Sequence, residues 1–82
     1  MRKSPLEEIR TKIDRIDDKI VALLKIRFKL VLKTLKYKTK TIDSTREKQI
    51  LKRVSKKYNS ALPVFLSIMK ESKRLQRRAR TK

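Results

Sequence analysis

Arg27, Lys38, Arg46, Glu47, Ser72 and Gln76 are polar side chains on helical seams that should stay apolar. A buried cation is costly unless something pairs with it, and the chain holds only 8 acids against 26 bases. Unpaired cations on inward seams describe a pocket whose missing counter-charge is an anionic ligand. The alternative is that Arg27 and Lys38 snorkel to water along their aliphatic stems. The chemistry open to such a pocket is narrow. With no cysteine and no histidine, the chain lacks a thiol nucleophile, a thiolate zinc site, the usual general base and the commonest metal ligand. With no glycine it also lacks phosphate-cradling loops. If the chain is an enzyme, it works without a metal, a triad or a nucleotide fold, which leaves electrostatics and positioning.

The elements that must position these residues are helical. From Ser4 to about Lys40, apolar residues recur at Leu6, Ile9, Ile13, Ile16, Ile20 and Leu23, in steps of three and four. That spacing lays one apolar stripe along a helix. The same steps then land on Arg27, Leu30, Thr34 and, one turn further, Lys38, so the seam turns polar and cationic halfway along. Ser4, Pro5 and Glu7 supply an N-cap, a proline at the first helical position and a capping-box acid. Roughly 34 residues at 1.5 Å each make a rod of about 50 Å. A compact chain of this length has a radius of gyration near 12 Å, a globule only about 30 Å across. The rod cannot bury its stripe in its own chain, and a second copy is the simplest cover.

Thr39 to Asp43 breaks the helical pattern with β-branched and polar residues. Ser44 is the expected cap of a second helix, with Glu47 as its capping-box partner and Ile50, Leu51 and Val54 as its apolar face. That helix fades near Tyr58 and Asn59. Ser60 is the expected cap of a third, which tolerates Pro63 in its first turn. Its inner face reads Ala61, Phe65, Ile68, Ser72 and Leu75, with Val64 and Met69 flanking, and the basic tail from Arg77 to Lys82 is expected to fray. Residues 1–82 thus form one all-α domain of three helices, the first very long and the other two shorter, intertwined as a homodimer.

The longest uninterrupted apolar run, Ile20 to Leu24, is far too short for a membrane span or a signal-peptide core, so a cytoplasmic protein is expected. A net charge of +18 points to anionic partners. Nucleic acid is one such partner, but Phe28, Tyr37, Tyr58 and Phe65 are the sole aromatics and no recognised nucleic-acid motif is present. Binding of that kind would be electrostatic, weak and non-specific.

Arg10, Arg27 and Lys38, then Asp43-Ser44-Thr45-Arg46-Glu47, then Ser72 and Gln76, in that order, resemble the all-helical chorismate mutases of the AroQ class, over about residues 5–77. The segment from Ile9 to Asp17 is similar to their opening helix. Two features depart from the family pattern: the connection from Thr39 to Ile42 is short, and the surface is more basic. The resemblance implies conversion of chorismate to prephenate by a pericyclic rearrangement, with no cofactor and no metal. Arg10 and Arg27 would then hold the two carboxylates of the dianionic substrate. Lys38 would meet a carboxylate and the ether oxygen, and Gln76 would donate to that same oxygen. Glu47 would accept from the ring hydroxyl, with Arg46, Asp43 and Ser72 completing the shell. The nearest relative activity is that of an isochorismate pyruvate-lyase. The rival from another class is a basic helical dimer that binds nucleic acid non-specifically.

Spacing bears on this independently of the family. Arg27 and Lys38 are 11 residues apart, about three turns, so on one helix they would share a face. Arg10 lies 17 residues before Arg27, about 25 Å along the axis, and can reach the pocket only across an antiparallel pair of chains. Each residue also has a plainer role: Glu47 in a capping box, Asp43 in a turn, Ser72 in packing, Gln76 exposed near a fraying end, and Arg10 paired with Asp14.

Overall fold

The computed structural model describes residues 4–37 and 43–81. Every regular element among them is helical: α1 (Pro5–Lys33), a 3₁₀ turn (Thr34–Lys36), α2 (Ser44–Lys57), a 3₁₀ turn (Asn59–Ala61) and α3 (Leu62–Arg80). The expected all-α class of three helices is what forms.

α1 begins where the sequence signals place it, with the Glu7 N–H donating to Ser4 Oγ at 3.1 Å. It ends sooner than its apolar period implies, because α-helix gives way to a 3₁₀ turn after Lys33. Thr34 explains the change. Its hydroxyl donates to the Val31 carbonyl at 2.6 Å, the acceptor that the Leu35 N–H would need to continue the α-helix. Lys38 through Ile42, and with them most of the short connection, lie outside the described residues. The α-helical register expected to link Arg27 to Lys38 is therefore broken before Lys38 is reached.

α2 is capped by Asp43, not by Ser44. Asp43 Oδ1 accepts from the Arg46 N–H at 3.0 Å, and Ser44 is the first helical residue. α2 stops as Tyr58 adopts extended backbone, while Ser55 Oγ donates to Asn59 Oδ1 at 2.8 Å. Ser60 does not cap α3; it sits inside the 3₁₀ turn, and Ala61 precedes α3 with no side-chain cap. Pro63 lies in the first turn, as expected. α3 keeps its helix past Arg77 as far as Arg80, where the Thr81 N–H donates back to the Arg77 carbonyl at 3.2 Å.

α2 and α3 pack around Ile50, Val54 and Met69, ringed by Leu51, Ala61 and Phe65. Met69, expected to flank the inner face of α3, belongs to the core, whereas Ile68 is half-buried. α1 contributes no buried residue at all. Its Leu6, Ile9, Ile13, Ile16, Ile20, Leu23 and Ile26 are each between 48 and 64% exposed. The chain measures 58 × 31 × 15 Å with a radius of gyration of 16.7 Å, against about 12 Å for a compact chain. Charge follows the same division. Five acids and five bases cancel over residues 1–18, so residues 19–82 carry the entire +18. The acids in that longer part are Asp43, Glu47 and Glu71, and all three are engaged. Asp43 caps α2, Glu47 pairs with Lys73, and Glu71 pairs with Arg74. No helix among the described residues is long and apolar enough to cross a membrane.

The cap reassignment is directly testable. Asp43→Ala should lower unfolding stability by about 1 kcal/mol, while Ser44→Ala should stay within roughly 0.5 kcal/mol of the parent. Urea midpoints of the two variants measure the difference.

Candidate active site

Three walls meet at the carboxyl end of α1. That helix supplies Arg27, Leu30 and Val31, the following turn supplies Thr34, the start of α2 supplies Asp43, Arg46, Glu47 and Ile50, and α3 supplies Met69, Ser72, Lys73 and Gln76. Six of the eight residues expected from the sequence are thereby brought together: Arg27, Asp43, Arg46, Glu47, Ser72 and Gln76. Arg10 is not among them; it is exposed on the far half of α1. Lys38 is outside the described residues.

α3 holds α1 through two polar side chains spaced four residues apart, hence on one face. Ser72 accepts from Arg27 Nη1 at 2.8 Å and donates to the Ile68 carbonyl within its own helix at 2.9 Å. Gln76 donates through Nε2 to the Val31 carbonyl and to Thr34 Oγ1, both at 3.2 Å. Gln76 is the most buried of the chain's described residues at 3% exposure, with Ser72 at 6%. The plainer reading of Gln76 as an exposed side chain on a fraying end does not hold. Its two N–H donors fasten the point where α1 stops, and a buried amide is tolerable there because both find acceptors.

Arg27 is the electrostatic anomaly. Its partner is a neutral hydroxyl, and no carboxylate among the described residues forms an ion pair with it. Partial burial, with Arg46 and Arg53 as like-charged neighbours, pulls its guanidinium below the usual arginine value. An arginine stays protonated regardless, so the strain is that of a cation without a counter-ion, and an incoming anion relieves it.

Lys73 is the charged pocket residue that sequence reasoning missed. Its Nζ lies 2.9 Å from Glu47 Oε1, joining α3 to α2 across the opening, with both side chains rather more than a quarter exposed. Glu47 therefore faces the pocket and not Ser44. The available signal was the position of Lys73, four after Met69 and three before Gln76, which puts it on the inner face of α3.

The sequence model of the family described as chorismate mutase type II matches residues 9–77 of this chain. Comparison with curated proteins gives no match, and comparison with solved structures gives none either.

Removing the amide that fastens α1 leaves the Val31 carbonyl without that partner. Gln76→Leu should cost about 1–3 kcal/mol of unfolding stability, against a change within about 0.5 kcal/mol for Gln49→Leu on the exposed side of α2. Chemical denaturation followed by circular dichroism reads both.

Proposed function

The chain belongs to the chorismate mutase type II family, and on that premise we propose that this pocket rearranges chorismate to prephenate. The reading is carried by Arg27, a part-buried cation with a neutral partner in a pocket that also holds Arg46. A dianionic substrate supplies the missing counter-charge, and a planar guanidinium suits bidentate contact with a carboxylate. The reaction breaks the C–O ether bond as a C–C bond forms, with no net transfer of protons or electrons. Negative charge grows on the departing ether oxygen, and preorganised donors aimed there lower the barrier. We assign that role to Lys38 and Gln76, with Gln76 exchanging its bond to Thr34 Oγ1 for one to the ether oxygen. Glu47 accepts from the ring hydroxyl, and Arg46, Asp43 and Ser72 orient the rest. Holding a flexible substrate in its folded conformer supplies a further part of the rate.

The second carboxylate is assigned to Arg10 of a second copy of the chain. Two observations support the pairing: the bare stripe of α1, and the seventeen-residue offset that keeps Arg10 from its own pocket. An antiparallel, two-fold pairing of α1 helices covers both stripes and builds two composite sites.

The deciding assay follows chorismate loss and prephenate formation by the purified protein, with isochorismate as the competing substrate. Prephenate from chorismate is expected. Pyruvate and salicylate from isochorismate, with chorismate untouched, would assign the chain to the lyase reaction instead. Arg27→Ala should lower kcat/KM by roughly a hundredfold or more with the helical spectrum retained. Because an amide donates without titrating, activity should be flat across neutral pH; a steep rise toward acid would make a protonated carboxyl the donor.

The shared site has its own test. Arg10→Ala and Lys38→Ala homodimers are each expected to be crippled. Unfolded together and refolded as a mixture, about half of the dimers combine both chains, and each of these keeps one intact site of two. Roughly a quarter of wild-type activity should return, while each variant refolded alone stays inactive. No recovery despite demonstrated chain exchange would refute the composite site.

A further inference from the structure

Glu47 poses an electrostatic problem that the proposed reaction does not solve. A pocket that receives a dianion has a carboxylate in its wall, and like charges brought together in a closed site cost several kcal/mol. Neither Glu47 nor Lys73 has an opposite charge at helical spacing within its own helix. Positions 43, 44, 50 and 51 around Glu47 are Asp, Ser, Ile and Leu; positions 69, 70, 76 and 77 around Lys73 are Met, Lys, Gln and Arg. They find each other across the pocket, at 2.9 Å. Arg27 and Arg46 also line the pocket, yet neither forms an ion pair with Glu47. With more than a quarter of each side chain exposed, the pair adds little to folding stability, since exposed ion pairs are worth about 0–1 kcal/mol. Its place is better explained by what enters the pocket.

We propose that Lys73 is a positioning residue for the reaction: the counter-charge that lets the Glu47 carboxylate stand in the wall of a pocket built for a dianion. The inference rests on the function proposed above. Paired with Lys73, Glu47 presents a compact dipole whose field falls off faster than that of a lone charge. One carboxylate oxygen is held by the ammonium, and the group keeps lone pairs for a substrate hydroxyl. Lys73 acts through Glu47, so its contribution should depend on the charge of Glu47.

A double-mutant cycle on the full chain tests that dependence. Lys73→Met keeps the aliphatic stem and removes the charge. In the wild-type background it should raise KM for chorismate roughly tenfold or more while changing kcat much less. Lys73→Arg, which keeps a cation within reach, should stay near wild type. In a Glu47→Gln background, Lys73→Met should change KM by no more than about twofold, because no carboxylate is left to neutralise. Calorimetric titration with prephenate gives the same cycle from equilibrium binding if the Glu47→Gln chains turn over too slowly. An equal penalty in both backgrounds would mean that Lys73 holds the substrate directly, and no penalty in either would mean that it has no role; both overturn the proposal. A wild-type chain that neither converts chorismate nor binds prephenate overturns the underlying function as well, so the two failures are distinguishable.

Discussion

The pocket exists because an amide on α3 takes hold of the end of α1. Carbonyls at the carboxyl end of a helix lack the N–H partner four residues on that interior carbonyls have, and they carry the negative pole of its dipole. Gln76 donates to one of them, at Val31, and to the Thr34 hydroxyl beside it. One turn back on α1, Arg27 donates to Ser72, one turn back on α3. Apolar contacts alone permit sliding between two helices, whereas these directional bonds fix one register. In that register the guanidinium stands at the pocket wall, held by a neutral hydroxyl and with no carboxylate partner among the described residues.

The apolar core does a humbler job. Ile50, Val54 and Met69 clamp α2 against α3 and bring the first turn of α2 over the opening. Asp43 serves twice at that junction, since it caps α2 and lines the pocket. The wall therefore takes in both helix ends, with Thr34 following α1 and Asp43 capping α2.

Much of this was legible from local pattern. The apolar period of α1, its start at Ser4, and the inner residues Ile50, Val54, Phe65, Ser72 and Gln76 all follow from spacing on a single helix. What escaped depends on contacts distant in sequence. The stop of α1 at Lys33 is reinforced by Gln76, 42 residues beyond Thr34, so no window around the helix end could reveal it. The apolar stripe running on through Leu30 argued for continuation, and the Thr34 hydroxyl on the Val31 carbonyl, backed by Gln76, overrode it. Lys73 stands at an inner-face position of α3, but its pairing with Glu47 was hidden for the same reason, the partner lying on another helix. Asp43 and Ser44 are adjacent residues that both cap well, so sequence alone leaves the boundary open by one position. Met69 against Ile68 is the same one-residue ambiguity of phase on α3. Lys38 was read from the seam of α1 and Arg10 from family likeness, and neither lies among the described residues that line the pocket.

The division of charge along α1 has a consequence for handling this protein in solution. Residues 1–18 sum to zero while the rest of the chain carries +18, so two copies would repel least along the opening stretch of their apolar stripes. Dissolved salt screens that repulsion and, if strongly hydrated, also strengthens apolar burial. It would therefore favour the proposed pairing of the rods. The same ions would shield Arg27 and Arg46 from the dianion proposed to bind there and so weaken its capture. Ionic strength pulls the two halves of the molecule in opposite directions, and activity should pass through an optimum at intermediate salt rather than fall steadily.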